Sequence, residues 1–163
     1  LDFPNGTVIT PDGKKMIIGE TYGGRLTSFD INSDGSLTNR QIWAQMMPTS
    51  YYLLTKIVRA LKIPVKEGRA TPYPVPDGIC LDDHNGVWVA SPTTSEVIRY
   101  TQGGEVTQRI KTPDRAYACM LGGKTGTTLF ISTAKTSDPE IASREKNGKI
   151  YSTEVEYPRA GKP

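Results

Sequence analysis

The sequence predicts an all-β fold of repeated four-stranded units, a β-propeller with a short helical insert. Three observations carry that expectation. Short apolar runs alternate with clusters of Gly, Pro, Asn and Asp, the pattern of strands joined by tight turns. The pattern also restarts: Pro4-Asn5-Gly6 recurs as Pro76-Asp77-Gly78. Finally, Asp77 stands 40 residues before Tyr117, where a third unit opens, against the ~40–45 residues of a propeller blade. A β-sandwich is the alternative for short strands at such spacing, and the regular repeat favours blades.

The first unit, residues 1–45, has strands at Thr7 to Thr10, Met16 to Gly19, Arg25 to Asp30 and Leu37 to Ala44. Pro11-Asp12-Gly13, Tyr22-Gly23-Gly24 and Asn32-Ser33-Asp34-Gly35 separate them as turns. The second unit, 76–115, has strands at Gly78 to Leu81, Val87 to Ala90, Glu96 to Tyr100 and Val106 to Ile110. Its hairpin turn is Asp82-Asp83-His84-Asn85-Gly86, which already holds the Asn-Gly that a hairpin needs. Pro76-Asp77-Gly78 lies instead at a strand entry, where turn chemistry explains it only in part. The third unit, 116–157, offers Ala118 to Leu121, Leu129 to Ser132 and, after a polar loop, Lys149 to Val155, with no fourth strand.

The first two unit starts lie 72 residues apart, and the surplus is the segment 46–75, where strand chemistry stops. Within it, Leu53, Leu54, Ile57, Val58 and Leu61 fall at helical spacing, with Lys56, Arg59 and Lys62 on the other side. This predicts a short amphipathic helix over Tyr52 to Lys62. Its apolar face is expected to pack on the propeller, as a lid or wall ending just before Asp77.

Composition excludes several function classes. The chain has 163 residues, 36% hydrophobic and 23% charged, enough for one domain with a core and unlike a disordered chain. A net charge of +3, with no stretch interleaving basic and aromatic residues, argues against nucleic acid. No apolar run approaches the ~20 residues of a membrane span, so neither partner is expected and cytoplasmic is the default compartment. Leu1-Asp2-Phe3-Pro4 is neither a start methionine nor a signal peptide, as though cut from something longer. Cys80 and Cys119 sit in apolar runs and read as buried free thiols, with a disulfide as the alternative.

Chemistry has few places to reside. Asn5 and Asp77 occupy equivalent positions at the entry of a unit's first, innermost strand, where side chains face a propeller's channel. A carboxylate and an amide oxygen there are hard ligands, suited first to Ca²⁺ and also to Mg²⁺, Mn²⁺ or Zn²⁺. That both residues merely cap turns stays open at this point. Gly123-Lys124-Thr125 is not a phosphate loop, because position 118 is Ala and the stretch joins two strands. His84, the one histidine, lies in a hairpin turn, and there is no Gly-x-Ser-x-Gly elbow.

The chain resembles the family of senescence-marker protein, gluconolactonase and luciferin-regenerating enzyme. The resemblance rests on Phe3-Pro4-Asn5-Gly6, Glu20-Thr21-Tyr22-Gly23-Gly24-Arg25, Pro76-Asp77-Gly78-Ile79-Cys80-Leu81-Asp82 and Val87-Trp88-Val89-Ala90. Ala118-Cys119-Met120-Leu121-Gly122-Gly123 and the ending Gly148-Lys149-Ile150-Tyr151 also fit. It implies a six-bladed propeller of which about three C-terminal blades are present, the preceding blades lying before Leu1. It further implies one divalent cation held by an Asn, an Asp and a Glu: Asn5 and Asp77 match the first two, and the Glu would precede Leu1. The implied activity is hydrolysis of a lactone or related ester, with Asp77 both ligating the cation and activating water. The class-different alternative is a non-catalytic propeller module whose Asn5 and Asp77 form a structural cation site. The missing strands and ligand also imply that residues 1–163 alone associate and bind the cation weakly.

Overall fold

The computed structural model describes residues 1–63 and 71–161. Its strands form three antiparallel sheets, each a meander in which sequence neighbours pair. The first sheet contains β1 (Pro4–Ile9), β2 (Lys15–Glu20), β3 (Arg25–Ile31) and β4 (Leu37–Gln45). Helix α1 (Thr49–Ala60) follows. The second sheet contains β5 (Ile79–Leu81), β6 (Val87–Ser91), β7 (Glu96–Tyr100) and β8 (Val106–Lys111). The third has three strands, β9 (Arg115–Gly122), β10 (Thr128–Ala134) and β11 (Lys149–Glu154), with α2 (Pro139–Glu145) between the last two.

The first strands of the three sheets lie side by side, β1 against β5 and β5 against β9. Two apolar cores fill the spaces between sheets. Ile17, Leu26, Trp43, Val87, Val89, Ile98 and Tyr100 form the first. Trp88, Ala90, Val97, Cys119, Leu121, Leu129 and Ile131 form the second. The period-2 alternation of a strand produces this division: in β6, Val87 and Val89 face one core, Trp88 and Ala90 the other. The middle sheet is therefore covered on both faces, which explains why β6 reads as an unbroken apolar run from Val87 to Ala90. The outermost strands β4 and β8 are largely exposed.

The polar loop expected in the third unit contains α2. Its start was written in the sequence: Asp138 accepts from the N–H groups of Glu140 and Ile141, and Pro139 opens the first turn. Helix α1 begins at Thr49 rather than Tyr52 and ends at Ala60. Its apolar face does not pack on the sheets as expected, since α1 has no buried residue and Leu53, Leu54 and Ile57 stay exposed. The helix is held by aromatic and charged contacts instead, described below. The rest of the 46–75 insert includes residues 64–70, which lie outside the described residues.

Candidate functional site

Each sheet carries an irregularity at the same place in its first strand. In β1 the pairing with β2 shifts register between Pro4 and Thr7, so the extra residue falls at Asn5-Gly6. Ahead of β5, Asp77 N–H donates to Ala90 O at 3.0 Å while Ala90 N–H donates to Gly78 O at 2.9 Å, two residues against one. In β9 the register against β10 shifts between Ala118 and Ala116, leaving Tyr117 as the extra residue. A β-bulge unpairs and re-aims the side chain it carries, and bulges concentrate beside sites for that reason.

These three bulges are stitched together. Gly6 N–H donates to Asp77 O at 3.0 Å, and Gly78 N–H donates to Tyr117 O at 2.9 Å. Asn5, Asp77 and Tyr117 are thus one register position repeated through three adjacent strands. The glycine after each of the first two is required by proximity. A Cβ on Gly6 would lie 2.5 Å from Asp77 O, and one on Gly78 would lie 2.8 Å from Ala118 Cα. The Pro-Asn/Asp-Gly signature therefore marks a close strand approach, not a turn. Asn5 and Asp77 are neighbours across the β1–β5 contact. Tyr117 joins them and was missed, because nothing in an isolated Tyr distinguishes it from core; its place 40 residues after Asp77 was the available signal.

The electrostatics of the position are unusual for carboxylates in this chain. Burial pushes the Asp77 carboxyl above its ordinary value, against the opposing influence of the Asn5 side chain. Asn5 Nδ2 donates to Thr21 Oγ1 at 3.3 Å, and Thr21 Oγ1 donates in turn to Pro76 O at 2.8 Å. No hydrogen bond reaches Asn5 Oδ1 from the described residues. The Tyr117 hydroxyl is buried and likewise without a partner among them. A partly buried carboxylate and an amide thus lie together where β1 meets β5. This donor set suits a hard divalent cation or a polar ligand. Among the described residues no group of three His, Cys, Asp or Glu side chains could hold a metal.

The buried carboxylates Asp82 and Glu20 are engaged on several sides and therefore structural. Asp82 accepts from Arg99 Nε at 2.6 Å, Arg99 Nη2 at 3.0 Å, Trp88 Nε1 at 3.1 Å and Gly86 N–H at 2.8 Å. Burial would raise the Glu20 carboxyl, but Arg25, Thr27 and the Asp2 N–H bring it down to about 2. His84 stacks on Tyr157 and pairs with Asp83 at the surface, away from Asn5 and Asp77. Cys80 and Cys119 are buried free thiols with their sulfurs 3.9 Å apart. No helix among the described residues is long and apolar enough to cross a membrane.

Comparison with known proteins follows this geometry. Residues 1–135 match the family model described as the SMP-30/Gluconolactonase/LRE-like region. Regucalcin of Xenopus laevis is 30% identical over 131 residues, 71% of this chain and 44% of that protein. The structure of a luciferin-regenerating enzyme superposes with a TM-score of 0.68 at 21% identity, over 96% of this chain and 46% of that one. A gluconolactonase from Xanthomonas campestris gives a TM-score of 0.56 at 25% identity, over 82% of this chain and 35% of the other. The chain spans less than half the length of each of these relatives.

Proposed function

The chain belongs to the SMP-30/gluconolactonase/LRE-like family, and from that premise we propose that it carries part of a metal-dependent site for hydrolysing a lactone or related ester. The observation that carries this reading is the stitched bulge pair, Gly6 N–H on Asp77 O, which brings Asn5 and Asp77 together. The gluconolactonase among its structural relatives supports the reaction class.

The three sheets, with first strands adjacent, are in this reading consecutive blades of a radial propeller. Further blades of the same protein complete the ring. The coverage of each relative and the uncovered apolar side chains of the outer sheets both support that arrangement.

Asn5 Oδ1 and the Asp77 carboxylate fit a divalent cation, Ca²⁺ first by the hardness of its donors, with remaining donors from outside this chain. When bound, such a cation supplies Lewis acidity toward the ester carbonyl. Asp77 has a second task. Its carboxylate orients a water and accepts its proton as the water attacks the carbonyl carbon. Thr21 fixes the rotamer of Asn5 and ties it to the Pro76 carbonyl, one residue from Asp77.

The test is hydrolysis of δ-gluconolactone and simple γ-lactones by the full-length protein, with and without Ca²⁺. Turnover that needs the cation and falls at least ~100-fold in Asp77→Asn is the expected result. Equal turnover after chelation would sink the proposal.

A further inference from the structure

Helix α1 stands off the sheets. Three sets of contacts hold it: Arg59 pairs with Asp2 at 3.1 Å and lies over the Tyr22 ring at 4.4 Å; Arg25 lies over Tyr52 at 5.4 Å; Tyr51 meets Tyr73 edge-on at 5.0 Å. None of these fills the space beneath it. There a cavity of about 270 Å³ is lined chiefly by Tyr22, Met47, Tyr51, Leu54, Val58 and Val75. Its floor includes Thr21, the residue hydrogen-bonded to Asn5 and to the Pro76 carbonyl. Val75 is two residues before Asp77.

Several polar groups of this wall are already engaged, which leaves chiefly the Tyr22 and Tyr51 hydroxyls to meet a ligand. Thr21 is engaged on both sides, Thr55 Oγ1 donates to Tyr52 O at 2.7 Å, Thr71 Oγ1 accepts from Tyr73 N–H, and Arg59 is held by Asp2. A polyhydroxylated substrate entering here has more hydroxyls than this wall has partners for, and buried unpaired hydroxyls are strongly selected against. An alkyl or aryl group would meet tyrosine faces, methionine and branched aliphatics. At about 30 Å³ for a water-sized group, the space holds roughly eight or nine methylenes.

We infer that the cavity under α1 is the substituent pocket of the site, and that the substrate is a lactone or ester bearing an apolar chain or ring of that size. This rests on the hydrolase reading above and names its substrate class. It also gives the unpacked apolar face of α1 an occupant: Leu54 and Val58 line the cavity from the helix.

The test is a γ-lactone series from γ-butyrolactone to γ-dodecalactone, with δ-gluconolactone alongside, on the full-length protein with Ca²⁺. kcat/KM should rise about 4-fold per methylene until the pocket is full. Leu54 is exposed, so Leu54→Trp can be accommodated, and it should shift the optimum to a chain several carbons shorter. Leu54→Ala should shift it the other way. Calorimetric binding of γ-decalactone to Asp77→Asn protein gives a readout free of turnover, and adding Leu54→Trp should weaken it at least 10-fold. A flat series with δ-gluconolactone preferred would overturn the pocket and leave the hydrolase standing. Tight, Leu54-sensitive decalactone binding in a protein that hydrolyses no lactone would uphold the pocket and overturn the hydrolase.

Discussion

Gly6 donates its backbone N–H to the carbonyl oxygen of Asp77 across 3.0 Å, and a side chain on Gly6 would begin 2.5 Å from that same oxygen. The bond that seats Asp77 beside Asn5 therefore exists only because residue 6 has no Cβ. Gly6→Ala should push β1 away from β5, costing roughly 2–4 kcal/mol of stability by overpacking against rigid backbone. A denaturant melt of the variant checks it. A loss below about 0.5 kcal/mol would mean that the strands separate freely and that the stitch does not define the site.

Asp77 separates function from stability. Its carboxyl is raised above 3.8 by burial, so ionising it in the folded state is unfavourable. The stability linked to its neutral form is full below 3.8 and is lost as pH rises through the folded-state value. Asp77→Asn should consequently unfold no more easily than the parent at pH 7, while losing lactone turnover. In the parent, kcat/KM should fall on the acid side as Asp77 takes up its proton. A turnover loss explained by an equally large fall in melting temperature would remove Asp77 from the chemistry.

Much of this arrangement could be read from residues in order. The strands follow from turn clusters and alternation, and Asn5 and Asp77 were paired by the repeat of Pro-Asn/Asp-Gly. What that repeat meant could not be read, because the close approach of β5 to β1 and of β9 to β5 is tertiary. Tyr117 marked the opening of the third unit but not a site position, for the same reason: its bulge appears only once Ser132 and Thr133 are seen to pair with Ala118 and Ala116. Helix α1 shows the limit of periodicity. Its spacing gave an apolar face correctly, but a hydrophobic face predicts burial only if something covers it, and Arg59, Arg25 and Tyr51 hold the helix off the sheets instead.

Asp82 is the structural counterpart of Asp77. Wholly buried, it gathers Arg99, Trp88 and the turn N–H groups of His84 and Gly86. Asp82→Asn leaves the Arg99 guanidinium buried without its charge partner, and should cost about 3–5 kcal/mol. Thermal melting would show it, with the loss expected in both the presence and absence of Ca²⁺. Destabilisation that vanished on adding the cation would place Asp82 in the metal site.

Glu20 sets an acid limit on folding. Its carboxyl sits at about 2 in the folded protein against an ordinary 4.5, because Arg25, Thr27 and the Asp2 N–H together outweigh the cost of burial. A depressed folded value means stability fully present above pH 4.5 and lost as pH falls from there toward 2. Glu20→Gln should lower stability at pH 7 by roughly 2–3 kcal/mol and flatten the acid dependence across that window. Parallel acid profiles for the two proteins would show that the burden lies on other carboxylates.

The outward face of the third sheet bears on the ring itself. Met120 and Phe130 are a cross-strand pair on β9 and β10, and Ile150 lies on β11 opposite Ser132. They are 45%, 40% and 73% exposed, whereas Leu129 and Ile131, alternating with Phe130, are buried in the core. A sheet with both faces apolar is one built to be covered twice, and β11 adds an edge with open backbone groups. If a further blade normally covers this face, residues 1–163 expressed alone should self-associate and bind Ca²⁺ far more weakly than the full-length protein. Phe130→Lys combined with Ile150→Lys should return the isolated chain to monomer in sedimentation, and should destabilise the full-length protein by burying two charges. A monomeric isolated chain, or a full-length protein indifferent to both lysines, would mean that this face meets solvent and that the three sheets are not part of a closed ring.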